Sequence, residues 1–181
     1  MTADAQPGKP VLSLVAAIDE NRLLAVGHKI PWHLPRDVAH YRAYTLKKWL
    51  LLGRRTYGQM RGWFKEGHYP LVLTRNPDWK PELGRAVTSV EEALRLTSEA
   101  EQPELACCGG GKVYEAALPL ADLLVLTLIE HKFPGGEGAV YFPPWQPENW
   151  ETVSSIHYEA DTENAHAMTI VELKKKRETK T

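Results

Sequence analysis

Short uncharged apolar runs alternate along this chain with stretches of helical spacing. Leu12 to Ile18 is an apolar run without a charge, the pattern of a strand covered on both faces and therefore central in its sheet. Trp49 to Leu52, Pro70 to Thr74 and Leu105 to Cys108 read as further strands, and Leu123 to Ile129 is the most continuous apolar run, with Thr127 its only hydroxyl. Between them, Pro35 to Thr45 keeps helical spacing, and Arg54 and Lys112 each open a helical segment directly after glycine. Ser89-Val90-Glu91-Glu92 has the capping-box pattern and starts an amphipathic helix. Trp150 to His157 with His166 to Leu173 reads as a closing antiparallel pair, and Asp19 to Lys29 as a mobile, partly apolar loop.

This alternation predicts a single-domain α/β fold, a mostly parallel central sheet with helices on both faces and an antiparallel C-terminal strand. In such sheets ligands collect beyond the carboxyl ends of the strands. The expected boundaries are a flexible leader over residues 1–10, a catalytic domain over 11–174 and a basic, solvated tail over 175–181.

Composition narrows the function. With 22 basic and 23 acidic residues among 181, the net charge of -1 gives no global field for nucleic acid or an anionic membrane. No stretch approaches the roughly 20 apolar residues of a membrane span, and the first ten residues lack a signal peptide's apolar core. The two cysteines, Cys107 and Cys108, are adjacent in an apolar run, which suits buried thiols in a reducing cytoplasm. No metal-ligand spacing is present, so no metal is expected.

Candidate chemistry gathers at three strand ends. In Ile30-Pro31-Trp32-His33-Leu34-Pro35-Arg36-Asp37 the prolines set the backbone, Pro35 suits a first helical turn, and Asp37 falls inside that turn. Taken alone, Asp37 reads as an ordinary first-turn carboxylate facing the helix dipole. Gly53-Arg54-Arg55-Thr56 and Gly109-Gly110-Gly111 are each weak signals, but as a pair of glycine-to-helix turns they suit the pyrophosphate of a dinucleotide. The consecutive glycines also let another molecule approach the backbone closely.

Pro31-Trp32 with Asp37, Gly53-Arg54-Arg55-Thr56, Leu73-Thr74-Arg75, Gly109-Gly110-Gly111 with Tyr114, and then Thr127, in that order, resemble the dihydrofolate reductase family. The similarity extends from about Leu12 to Leu173. It implies a cytoplasmic, monomeric, NADPH-dependent reductase of dihydrofolate in one-carbon metabolism, with hydride passing to C6 of the pterin and a proton to N5. Asp37 would bind the pterin 2-amino group and N3, supported by Thr127, with Trp32 on an ordered water and Ile30 covering the nicotinamide. The implied substrate pocket adds Val15, Ala16, Ala17, Val38, Tyr41, Met60, His68, Cys108 and Tyr114. The implied cofactor contacts are Ala17, Ile30, Gly53, Arg54, Arg55, Thr56, Leu73, Thr74, Arg75, Cys108, the glycines 109–111, Lys112, Val113 and Tyr114. The resemblance also implies a cis Gly109–Gly110 bond, and basic residues at 54, 75 and 112 with the Thr74 hydroxyl on the adenosine 2'-phosphate.

One departure stands out. Relatives usually carry an arginine near position 68 that clamps the glutamate tail of folate, and this chain has Gly67-His68-Tyr69. A neutral imidazole cannot reproduce a bidentate guanidinium, though Arg61, Lys65 or a protonated His68 are candidate substitutes. Two further readings therefore stay open: a reductase of a pterin lacking glutamate or of a riboflavin-pathway pyrimidine, and a non-catalytic NADPH-binding protein.

Overall fold

At the centre of the sheet lies β1 (Val11–Ile18), whose Leu12, Leu14 and Ile18 on one face and Val15 on the other are all at most 2 % exposed. The computed structural model describes residues 8–178, and residues 1–7 and 179–181, the outer parts of the expected leader and tail, lie outside it. On one side of β1 follow β6 (Glu104–Cys107), β3 (Trp49–Gly53), β4 (Tyr69–Leu73) and β5 (Arg85–Val87), all parallel. On the other side follow parallel β7 (Leu123–Ile129), then β10 (Met168–Lys175) and β9 (Trp150–Tyr158), each antiparallel to its neighbour.

Two apolar layers sandwich this sheet. Leu12, Leu14, Leu51, Leu71 and Leu126 pack with α3 (Val90–Glu99) and α4 (Gly111–Ala117) through Val90, Ala93, Leu96, Val113 and Ala117. Val15, Leu50, Leu52, Val72 and Ala106 pack on the opposite face, against Tyr41 and Tyr44 of α1 (Pro35–Thr45) and Tyr57 of α2 (Arg54–Gln59). Helices thus cover both faces, as the alternation of runs predicts.

Four local expectations need correction. The segment expected as a mobile loop contains β2 (Leu23–Val26), which pairs with β8 (Ala139–Tyr141) in a separate two-stranded sheet. The buried Asp19 carboxylate organises the turn before it, accepting from the N–H groups of Asn21 at 2.8 Å and Leu23 at 2.9 Å. β5 has only three residues at the sheet edge, too short for a periodic signal. At α3, Ser89 Oγ accepts from the Glu92 N–H at 3.0 Å, but the Glu92 carboxylate turns to Thr88, accepting from its N–H at 2.7 Å. Lys175, expected to open the solvated basic tail, belongs to β10, and its Nζ donates to the Pro119 carbonyl at 3.1 Å. At the other end, Pro10 is buried and Lys9 lies 3.8 Å from Asp122, so this part of the expected leader is held against the sheet.

No helix among the described residues is long and apolar enough to cross a membrane. Cys107 and Cys108 are free and buried.

Candidate active site

The candidate residues gather at the carboxyl ends of β1, β7, β6, β3 and β4, where sheets of this kind leave a crevice for ligands. Asp37 sits in the first turn of α1, half-buried. Burial pushes its carboxyl above the ordinary value of 3.8, against the opposing effects of a hydrogen bond to Thr127 and the charge of His40. Thr127 is 2 % exposed and lies beside Ala17 in the β1–β7 register, so the carboxylate stands over the end of the central strand pair.

Around Asp37 the expected pocket residues fall into two groups. Val15, Tyr41, Met60 and Cys108 share one apolar cluster, in which the Tyr41 ring lies 5.5 Å from Trp63. Ala17 and Trp32 share another with Leu34, Ile129 and Met168, and Trp32 packs on Phe133 at 5.2 Å. Val38 and Ile30 are 42 % and 64 % exposed, apolar side chains left open at the crevice rim. Ala16 is a correction: strand alternation turns its side chain into the core on the α3–α4 face, so it does not line the pocket.

The two glycine turns are joined directly, with the Gly53 N–H donating to the Gly109 carbonyl at 2.7 Å. The Gly109–Gly110 peptide is cis. The glycine requirement here is internal: a Cβ on Gly109, at φ 94°, would fall 2.7 Å from the Tyr114 ring, and one on Gly111 would fall 2.6 Å from Val140. Only Gly110 has room, its nearest neighbour being Thr56 Oγ1 at 3.5 Å. Tyr114 is itself pinned, its hydroxyl donating to the Val15 carbonyl at 2.6 Å. Val113 closes the other turn, 3.2 Å from where a Gly53 side chain would begin.

Beyond this ledge lie the cations. Arg54 and Arg55 open α2, and Arg75 follows the neighbouring strand after Leu73, whose register partner is Gly53. All three arginines are exposed, and the Arg54 guanidinium lies 5.1 Å over the Trp79 ring. The Thr74 N–H donates to Val87 at 3.0 Å and its hydroxyl accepts from the Asn76 N–H at 3.1 Å. Lys112 lies 3.6 Å from Glu115 and lines a cavity of about 460 Å³ with Arg22, Val140 and Phe142, on the β8 side of α4. A ledge without side chains flanked by exposed cations has the donor set that a phosphorylated dinucleotide needs.

His68 reaches the site region but not as a cation. Its Nδ1 accepts from the Lys65 N–H at 2.8 Å, which leaves Nε2 to donate to the Thr45 carbonyl at 3.1 Å. Burial lowers its pKa, and its ring stacks on Trp63 at 5.2 Å. Both ring nitrogens are spent on the protein, so His68 forms a neutral wall. The adjoining cavity, about 550 Å³, takes its charge from Arg42, Arg61 and Lys65.

Sequence reasoning missed Trp79, which touches Arg54, Trp63, which touches Tyr41, Phe133, which touches Trp32, Asn164, which holds Arg36 beside Asp37, and Asp19, which accepts from the Phe133 N–H at 2.9 Å. Of these, the Asp161-to-Asn164 turn and the Asp19 turn carry a local signature, the side chain-to-backbone bonding typical of Asp and Asn.

A mostly parallel α/β sheet with a half-buried carboxylate over its central strand ends and paired glycine turns beside it belongs to the class of folds that bind ligands at the carboxyl edge of the sheet. The family model for dihydrofolate reductase matches residues 11–175. Dihydrofolate reductase type 3 of Salmonella typhimurium is 36% identical over 167 residues, covering 92% of this chain and 99% of that protein. Dihydrofolate reductase of Bacillus subtilis is 31% identical over 170 residues, covering 94% and 98%. The solved structure of dihydrofolate reductase from Enterococcus faecalis, complexed with NADP(H) and RAB-propyl, superposes with a TM-score of 0.82 at 29% identity, covering 94% of this chain and 98% of that one. The chain belongs to the dihydrofolate reductase family.

Proposed function

We infer that this protein reduces 7,8-dihydrofolate to 5,6,7,8-tetrahydrofolate with NADPH. The observation that carries the reading is Asp37, a half-buried carboxylate beside Thr127 at the end of the central strands. Bound NADPH supplies the hydride that passes from C4 of its nicotinamide to C6 of the pterin. Asp37 accepts hydrogen bonds from the pterin 2-amino group and N3, orienting the ring and favouring its protonation. It lies at the far edge of the pterin from N5, so its role is electrostatic, with a water near Trp32 delivering the proton. Val15, Tyr41, Met60, Cys108 and Trp63 enclose the ring, and Ile30 covers the nicotinamide side and limits water entry. On the cofactor side, the Gly53 and Gly109 turns let the chain lie close to the dinucleotide, and Arg54, Arg75 and Lys112 with Thr74 bind its phosphates. The buried free thiols suit a reducing cytoplasm, and we expect the protein to act as a monomer.

His68 favours a second reading, in which the preferred substrate is a pterin lacking the glutamate tail. A neutral, fully bonded imidazole offers no clamp, and the exposed Arg42, Arg61 and Lys65 offer only screened charge. Asp37 argues against a pyrimidine substrate. The test follows NADPH oxidation at neutral pH with dihydrofolate and, in parallel, with a dihydropterin lacking glutamate. Faster turnover of dihydrofolate supports the first reading, and preference for the truncated pterin replaces it with the second. Binding of NADPH without oxidation in either arm overturns both.

A further inference from the structure

Helix α1 starts without a cap of its own. Leu34 holds the N-cap position and makes no side-chain bond, while Pro35 in the first turn has no N–H to give. The next donor, the Arg36 N–H, is satisfied from 128 residues away, by Asn164 Oδ1 at 3.0 Å.

Asn164 lies in the connection between β9 and β10 and is 3 % exposed. Its orientation is dictated by Asp161: Asn164 Nδ2 donates to Asp161 Oδ1 at 3.1 Å, which turns the amide oxygen towards Arg36. The same carboxylate oxygen accepts from the backbone N–H groups of Asn164 at 2.7 Å and Glu163 at 2.9 Å, and the Asp161 N–H returns a bond to the Asn164 carbonyl at 2.8 Å. The second carboxylate oxygen accepts from Arg36 Nη2 at 2.9 Å, and the Arg36 guanidinium lies 4.7 Å over the Tyr158 ring. The hairpin connection therefore holds the residue immediately before Asp37 by both its backbone and its side chain. The bonds from Asn164, followed by those from Glu163 and Arg36, hold the Asp161 carboxyl down at about 2, so the clamp keeps its charge wherever the enzyme would work.

We propose that Asn164, oriented by Asp161, is a positioning residue for the reaction: it sets the rotation of the first turn of α1 and thereby the placement of the Asp37 carboxylate beside Thr127. The proposal rests on the reading of Asp37 as the pterin-binding acid. A helix start is otherwise its least constrained part, since its N–H groups lack intrahelical partners. A reacting constellation displaced by even 1 Å loses up to about 10²-fold in rate. A clamp on residue 36 removes that freedom one residue from the acid.

The experiment compares Asn164→Ala and Asp161→Ala with the parent chain and with Asp37→Asn. Steady-state kinetics with dihydrofolate are read beside the NADPH Kd from fluorescence and the Tm. Asn164→Ala is expected to raise KM for dihydrofolate and lower kcat/KM by roughly tenfold, with the NADPH Kd unchanged because the glycine turns lie on other strands. Asp161→Ala, which leaves Asn164 Oδ1 in place but frees it to turn and removes the Arg36 Nη2 bond, gives the same pattern, and it decides the matter if Asn164→Ala does not fold. Wild-type kinetics in the folded variants overturn the proposal, as does an NADPH Kd that weakens in step with KM, the mark of general loosening. If Asp37→Asn keeps full rate, the reading of Asp37 falls and the proposal with it; if only Asp37→Asn loses rate, the proposal alone falls.

Discussion

The two ends of the crevice handle charge in opposite ways. At the end proposed for the substrate one carboxylate, Asp37, is withdrawn from water over the central strands and raised in pKa by that burial. At the end proposed for the cofactor's phosphates, the phosphate end, the arginines after β3 and β4 are exposed, and backbone turns carry the close contacts. Burying a single charge makes its placement consequential and its presence costly to the fold. Exposed cations cost the fold little, act together and are weakened by salt. Mutations at the first end should therefore separate activity from stability, whereas those at the second should change affinity in small, additive steps.

The largest effect is expected from Asp37→Asn. With dihydrofolate at neutral pH, kcat/KM should fall by about 10²- to 10³-fold, the range associated with loss of one positioned electrostatic group. Stability should move the other way. Because the folded carboxyl titrates above its ordinary 3.8, the native state holds the extra proton between those two values, and above both the ionised form costs stability. Asparagine carries no such cost, so the variant's Tm at pH 7 should equal or exceed the parent's, and its advantage should vanish as pH falls below 3.8. A lower Tm at pH 7 would show that the carboxylate is part of the fold's support and would break the contrast.

Second comes Gly109→Ala, the place where the phosphate end does depend on buried packing. The added Cβ meets the Tyr114 ring at 2.7 Å, at a φ of 94° that alanine rarely adopts. Tyr114 cannot withdraw easily, with its hydroxyl bonded to Val15 and its ring 5.0 Å from Phe142. A stability loss of about 1–3 kcal/mol is expected in urea unfolding, together with weaker NADPH binding. Gly110→Ala, with only Thr56 at ordinary contact distance and no positive φ, should cost less stability. Equal losses at the two positions would place the constraint elsewhere in the turn.

These cases show what was readable in the chain and what was not. Periodicity exposed β1, α1, β7 and the glycine turns because burial on both faces or on one stripe leaves a local trace. It missed β2 because that strand's pairing partner, β8, lies more than a hundred residues away and four residues give little pattern. Asp37 alone read as a helix-end charge, and only its company along the chain marked it as a site. The glycine triplet was legible as a turn, but its reason was not: Val140 and Tyr114, not an approaching molecule alone, exclude side chains there. His68 was legible as standing where relatives carry an arginine, but not as neutral, because that follows from two hydrogen bonds that only the fold creates.

The smallest predicted effect tests the exposed end directly. Trp79 was invisible as a site residue, yet its ring carries the Arg54 guanidinium at 5.1 Å and meets Tyr57 edge-on at 5.8 Å. A cation–π contact at a partly exposed position contributes about 0.5–1 kcal/mol, which corresponds to roughly a two- to fivefold change in binding. Trp79→Leu should weaken NADPH binding by that amount and leave NADH almost untouched, since the latter has no 2'-phosphate for Arg54 to meet. Arg54→Leu should produce a larger loss with the same selectivity, and the difference between the two dinucleotides should shrink in both variants as salt is raised. If Trp79→Leu weakens both dinucleotides equally, the ring supports the α2 turn as a whole, and the phosphate end is less separable into individual charges than its exposure suggests.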